Sequence, residues 1–314
     1  MKYLIKKMAA LLFFVLLLTG CLSNGDRGPV PEGTELLTSF HPIYMFTKEI
    51  VKDTPINVIN MANTQTECLH DYQLTTDDMR KILDCQAFII NGNGMENSFI
   101  KNALEQNPHL VVIDSGLSAQ VLFVDEHDNE HIHNNEHEHI HNEPHDHEHG
   151  EINPHTWLSP TNAKIQIGNI ADELSKMYPK YSETLRKNAE DYCNLIDNSL
   201  ALILENNNNL KAVSFHEGFT YLANDIGFKV EKSVTVEENH LPSTKELDEI
   251  STLCGSGKIS FIICADDEGK KYAKLLALET GLPLVILDPF VSGNSYIDVQ
   301  IKNYETLKAV LSVE

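Results

Sequence analysis

From Glu35 onward the chain alternates short apolar runs with helical patterns, breaks off, and later alternates again; no other feature restricts its fold as tightly. TELLTSF reads as a strand, HPIYMFTKEIV as a helix, INVINMA as a strand, and TTDDMRKILD as a helix capped by Thr76. QAFIING follows as a strand, GMENSFIKNALEQ as a helix and HLVVIDSG as a strand. The second series runs KAVSF strand, EGFTYLANDI helix closed by Gly227, FKVEKSVTV strand, and a helix opened by the capping box Ser243-x-x-Glu246. KISFIICA strand, EGKKYAKLLALET helix closed by Gly281, PLVILD strand and a last helix to Val313 complete it. Strand and helix in regular alternation imply α/β architecture with parallel sheets covered by helices.

Between the two series, Ser159 and Pro160 make a helix start. Tyr181, Leu185, Ala189, Tyr192, Ile196, Leu200 and Ile203 then form an apolar stripe at helical spacing over residues 180 to 205. A helix of that length between two α/β halves predicts a stiff connector. The expected organisation is an N-terminal lobe over residues 35–178, a linking helix over 179–206 and a C-terminal lobe over 207–314, with a cleft between lobes.

The N-terminus, MKYLIKKMAALLFFVLLLTGC, has a basic head at Lys2, Lys6 and Lys7 and an apolar stretch from Met8 to Leu18 that is too short to span a bilayer. Residues 1–20 read as a secretory signal. Leu18-Thr19-Gly20-Cys21 resembles the bacterial lipobox, which would make Cys21 the lipidated first residue and place the body outside the cytoplasm on a bacterial membrane. Residues 21–34, polar and rich in Gly and Pro, read as a flexible tether.

The formal charge is -22. A face for phosphate binding is not expected at that charge, which argues against nucleic acid as a partner. Of the six cysteines, Cys85, Cys193 and Cys264 sit in apolar patterns and read as core, while a Cys254–Cys264 disulfide is left open by the sequence.

Residues 127 to 150 hold His127, His131, His133, His137, His139, His141, His145, His147 and His149 among many carboxylates. The loop 125–151 has too little apolar content to make a core of its own. Imidazoles separated by one or three residues can share a metal ion in many interchangeable ways, giving several weak sites instead of one tight site.

The sparse histidines are placed differently. Ligands of open α/β sheets gather outside the carboxyl ends of the strands. His70 follows the INVINMA strand, His155 lies in NPHTWLSP, His216 follows KAVSF, and Asp288 closes PLVILD. A cleft between lobes would let them converge. Three imidazoles and one carboxylate suit a divalent cation of borderline softness such as Zn2+. His41, at the end of the first strand, satisfies the same rule and is an alternative ligand. Asp71 and Glu217 each follow a candidate ligand and could orient an imidazole, but adjacent side chains diverge, so surface exposure is expected for both.

The segments SFHPIYMFTKEI, HDYQLTTDDM, NPHTWLSPTNA, SFHEGFTYLANDIGF and LALETGLPLVILDPF, in that order, resemble the successive signatures of the solute-binding lipoproteins of zinc and manganese ABC transporters. The resemblance implies two (β/α) lobes joined by one long rigid helix, and one metal ion between them that is handed to a membrane permease. The protein would be a monomer and not an enzyme. Carried over by position, the ligands fall on His70, His155, His216 and an acidic residue near Asp288, a place where the family varies. Zinc-type members carry a histidine-rich loop where this chain does. That loop, and His216 where a carboxylate would suit manganese, favour Zn2+ over Mn2+.

Three other readings remain at this level: a surface zinc buffer acting through the loop, a manganese-type importer, and a zinc hydrolase. The last lacks the HExxH helix motif, since His216-Glu217 is followed by Gly-Phe-Thr. Histidine ligands must be deprotonated, so metal affinity is expected to fall as pH drops through the imidazole range, about 6 to 7.

Overall fold

Helices and strands fall largely where the periodicity puts them. The computed structural model describes residues 35–62, 69, 72–124, 151–201, 209–234, 236 and 241–311. Strands β1 (Glu35–Thr38), β2 (Asn57–Asn60), β3 (Ala87–Ile90) and β4 (Val112–Asp114) form one sheet in the order β2-β1-β3-β4, parallel throughout. Helices α1 (His41–Ile50), α2 (Thr76–Asp84) and α3 (Ile100–Gln106) connect them. A short antiparallel ribbon of β5 (Leu122–Phe123) and β6 (Ile152–Asn153) follows. After α4 (Pro160–Met177) and α5 (Ser182–Leu200), a second parallel sheet is built from β7 (Lys211–Ser214), β8 (Lys229–Ser233), β9 (Phe261–Cys264) and β10 (Leu284–Ile286).

The second sheet has the order β10-β9-β7-β8, and its helices are α6 (Phe219–Ile226), α7 (Thr244–Gly255), α8 (Gly269–Thr280) and α9 (Tyr296–Leu311). Both sheets are therefore wound alike, each with its first strand between its second and third. The order reverses beside β1 in one lobe and beside β7 in the other, and a crevice opens at such a point. β3 and β9 are buried at every position, as strands covered on both faces must be. Among the described residues no helix is long and apolar enough to cross a membrane.

The long helical stripe breaks into a 3₁₀ turn at Pro179–Tyr181 and then α5, which buries Leu185, Ala189, Tyr192 and Ile196. α5 packs on α4 and α1 and also on α9, so it lies across elements from both halves of the sequence. Asn188 Nδ2 donates to the carbonyls of Ile50 (3.0 Å) and Lys52 (2.7 Å), fixing α5 to the end of α1.

Some local expectations change. The capping box of α2 is formed by Thr75 with Asp78, one residue ahead of Thr76. The helix expected from Gly94 begins only at Ile100. Ahead of it the chain turns through Gly92, Asn93 and Gly94, with φ of 79°, 53° and 95°. A Cβ at Gly92 would lie 2.0 Å from Asp114 Oδ1. That turn is held by Glu96, whose carboxylate accepts the N–H groups of Asn91 (2.8 Å) and Gly92 (3.0 Å). Cys254 and Cys264 are free thiols in one apolar cluster, not a disulfide, and burial pushes them up to about 11 and about 12. Cys21 and Cys68 lie outside the described residues.

Burial also pushes the Glu96 carboxyl up to about 7, despite the two N–H groups that favour its charged form. A carboxyl raised above its unfolded value binds a proton more readily in the folded chain, so it favours folding as pH falls from about 8 toward 5. The stability of the wild type relative to Glu96→Gln, measured by urea unfolding of metal-free protein, should therefore rise over that interval, by on the order of 3 kcal/mol. A difference that stays flat with pH would contradict this.

Two short elements escape the periodicity: the β5–β6 ribbon and a 3₁₀ turn at Thr156–Leu158. Both lie where the lobes meet. Asp225 of α6 accepts from Ser159 Oγ (2.7 Å) and from the Thr161 N–H (2.9 Å), so a C-lobe carboxylate sits at the N-terminus of α4. Trp157 Nε1 donates to the Pro289 carbonyl (2.8 Å), and Tyr296 Oη donates to the Trp157 carbonyl (2.9 Å). The stretch from Asn153 to Thr161 is thus bonded to the C-terminal lobe along its length.

Candidate metal centre

His155 enters the 3₁₀ turn directly after β6, and His216 follows β7 by two residues. One comes from each side of the lobe boundary, and the structure brings their rings to 5.0 Å between centres at 72°. Zinc–nitrogen bonds of about 2.0–2.1 Å at a tetrahedral angle would set two ligating imidazole centres roughly 5 Å apart, so the observed spacing fits two ligands of one ion. Trp157 packs 5.1 Å from the His155 ring and Phe219 5.0 Å from the His216 ring, giving the pair apolar walls.

The hydrogen bonds around His155 define its tautomer. Asn153 Oδ1 can only accept, and it lies 2.9 Å from His155 Nδ1, so Nδ1 carries a proton and the neutral ring keeps its lone pair on Nε2. The same oxygen accepts the His155 backbone N–H at 3.2 Å. His216 is set in a tight turn: its N–H donates to Ser214 Oγ (3.2 Å), which donates to the His216 carbonyl (2.7 Å), and the Gly218 N–H donates to His216 Nδ1 (3.2 Å).

Glycine at position 218 is what lets the two halves meet. A Cβ there would stand 2.3 Å from Leu158 Cδ1 and 2.8 Å from His155 Cβ. No side chain fits without moving His155.

Of the other candidate ligands, only Asp288 and His41 fall among the described residues, and both are engaged elsewhere. His70 and Asp71 lie outside the described residues, as does the whole run from His127 to His149. Asp288 does follow β10 at the carboxyl end of the sheet, but its oxygens serve its own loop: Oδ1 accepts the Val291 N–H (3.2 Å) and Oδ2 the Ser292 hydroxyl. His41 is buried at the start of α1, and its Nε2–H donates to the Gly293 carbonyl at 2.9 Å, fastening the first lobe to the loop after β10. Among the described residues no three His, Cys, Asp or Glu side chains form a group able to hold a metal.

Glu217 departs from the exposure expected of it. Its side chain is only 14% exposed, and Oε1 lies 3.4 Å from Nδ1 of His155. Surface exposure was expected because adjacent side chains diverge, but the Glu217 side chain turns toward the ring of His155 and into a largely buried position. Asn153 and Tyr221 were missed altogether. Tyr221 Oη donates to the Asn153 carbonyl (2.6 Å) and accepts the Leu122 N–H (2.9 Å), pinning the ribbon to α6.

Residues 36–310 match the profile of the family described as the periplasmic component A of the zinc-uptake complex. The chain belongs to that family. Within the zinc-uptake family and its kin, the zinc-binding protein AdcA of Streptococcus pyogenes serotype M3 is 31% identical over 293 residues, 89% of this chain. This chain spans 56% of the length of that relative. The high-affinity zinc uptake system protein ZnuA of Bacillus subtilis is 26% identical over 316 residues, 95% of each chain.

A manganese-bound mutant of a periplasmic metal-binding protein from Candidatus Liberibacter asiaticus superposes with a TM-score of 0.75 at 23% identity, covering 88% of this chain and 99% of that one. FpvC from Pseudomonas aeruginosa, in complex with Mn2+, gives 0.73 at 20% identity, covering 88% of this chain and 98% of that one. At such identities the two structures speak for the fold alone. The parallel sheets and two-lobe α/β fold expected from the alternation are thereby established for this zinc-uptake family member.

Proposed function

We propose that this protein captures Zn2+ outside the cytoplasm and delivers it to the membrane permease of an ABC importer, without catalysing a reaction. The observation that carries the reading is the His155–His216 pair, one imidazole from each side of the lobe boundary, with the lone pair of His155 Nε2 set by Asn153. His70 supplies the third imidazole in this reading. The fourth position is left to Asp288, which would have to exchange the Val291 N–H and the Ser292 hydroxyl for the ion. Imidazole-rich coordination favours zinc over manganese. The zinc in the names of AdcA and ZnuA points the same way.

Anchoring through Cys21, with residues 1–20 removed, belongs to the same proposal. A relative from Streptococcus pneumoniae, 28% identical, is named a zinc-binding lipoprotein. The protein would work as a monomer tethered beside its permease.

The histidine-rich run is assigned an accessory role, gathering zinc next to the site. The ribbon at its base supports this. The Val124 N–H donates to the Glu151 carbonyl at 2.8 Å, so the run leaves and returns at one point, two residues from Asn153. Deleting residues 127–150 would leave Asp125–Glu126 as a two-residue hairpin link, a length that antiparallel ribbons accept.

The test is a competition titration of metal-free protein lacking residues 127–150, with zinc and then manganese, against a chelator of known affinity. One tight zinc equivalent with much weaker manganese is the expected result. Loss of all tight binding would transfer the function to the run and make the protein a zinc buffer.

A further inference from the structure

We propose that Glu217 and Asn153 act together as positioning residues for His155, with Glu217 supplying from the C-terminal lobe the negative charge that the neutral Asn153 lacks. The proposal rests on the reading of His155 as a zinc ligand. Its basis is a closed set of contacts across the lobe boundary. Asn153 Oδ1 accepts from both the backbone N–H and Nδ1 of His155, and Asn153 Nδ2 donates to the Glu217 carbonyl at 3.1 Å. Glu217 Oε1 returns to His155 Nδ1 at 3.4 Å. The missing Cβ at Gly218 permits the approach.

The two residues do different work. Asn153 fixes the tautomer and plane of the ring, because its oxygen is held by geometry and takes the Nδ1 proton. It adds no charge. When Nε2 binds a dication the ring becomes more positive, and a carboxylate near the far nitrogen stabilises that change and strengthens the donor. Glu217 is placed to do this in surroundings that water screens weakly, since its side chain is 14% exposed and that of His155 3% exposed. The same charge therefore favours metal on one lobe's ligand and contact with the other lobe.

The experiment uses the full chain, titrated with less than one equivalent of zinc against a chelator so that the tightest site is read. Glu217→Gln keeps the shape and removes the charge. It should lower zinc affinity by about tenfold, in the range seen for outer-shell partners of ligating histidines. Glu217→Asp should recover part of the loss. Loaded with cobalt, Glu217→Gln should keep the ligand-field band positions of the wild type, because Asn153 still orients the ring, whereas Asn153→Ser should shift or broaden them.

Wild-type affinity in Glu217→Gln, with His155→Ala weakened, would overturn the role of Glu217 and leave the ligand assignment standing. A loss in Glu217→Gln that Glu217→Asp does not recover, accompanied by altered cobalt bands, would reduce Glu217 to packing and equally overturn the proposal. Unchanged affinity in His155→Ala would overturn the ligand reading itself.

Discussion

Replacing Trp157 by alanine is expected to cost the metal-free protein about 3–5 kcal/mol of stability, the range for removing a large aromatic side chain from a core. Trp157 is fully buried and meets Phe40 edge-on at 4.7 Å between ring centres. Its Nε1–H is the partner of the Pro289 carbonyl, and its own carbonyl receives the Tyr296 hydroxyl. Alanine would leave a cavity at the lobe boundary and orphan a carbonyl beside Asp288. Phenylalanine fills much of the cavity and isolates the second effect, worth about 1–3 kcal/mol for an unsatisfied buried group. Urea unfolding of the two variants without metal separates these contributions. A Trp157→Ala loss under about 1 kcal/mol would mean that the boundary relaxes freely, contrary to close packing there.

Much of this was legible in the sequence because it depends on local chemistry. Period-two and period-3.6 patterns located both sheets. Ser159, Ser243, Gly227 and Gly281 marked helix ends that the structure confirms. The strand-end rule picked out His216, and its place just ahead of a helix picked out His155, although 61 positions separate them.

Other features depend on contacts that the chain order does not reveal. The ribbon β5–β6 has only two residues per strand, too few for a period, and its pairing is fixed by Tyr221 roughly seventy to a hundred positions away. The turn at Gly92–Phe99 looked helical because Phe99 and its neighbours are apolar at helical spacing, while the deciding group was the buried Glu96 carboxylate holding the N–H groups of Asn91 and Gly92. Glu217 looked like a surface residue, but its side chain crosses to the ring of His155. A signal was available in NPH and HEG: a short amide two residues before one histidine, and a glycine two residues after the other, are what close approach between the turns requires.

Removing the His155 ring should lower zinc affinity by about a hundredfold or more, equivalent to roughly 3 kcal/mol, a typical cost of deleting one partner from a buried charged contact. A generic loss of structure could imitate that result, and His41 supplies the control. It too is buried, stands at a strand end and bonds across the lobe boundary, but its Nε2–H is committed to the Gly293 carbonyl. His41→Ala should therefore reduce stability by about 1–3 kcal/mol, through the carbonyl left without its donor, and leave zinc affinity near that of the wild type. His155→Ala should combine a large effect on affinity with a stability change comparable to that of His41→Ala. Affinity falling equally in both variants would show that the lobe boundary, and not the imidazole of residue 155, sets zinc binding. Affinity lost in His41→Ala alone would move the ligand to the end of the first strand, where the strand-end rule also allows it.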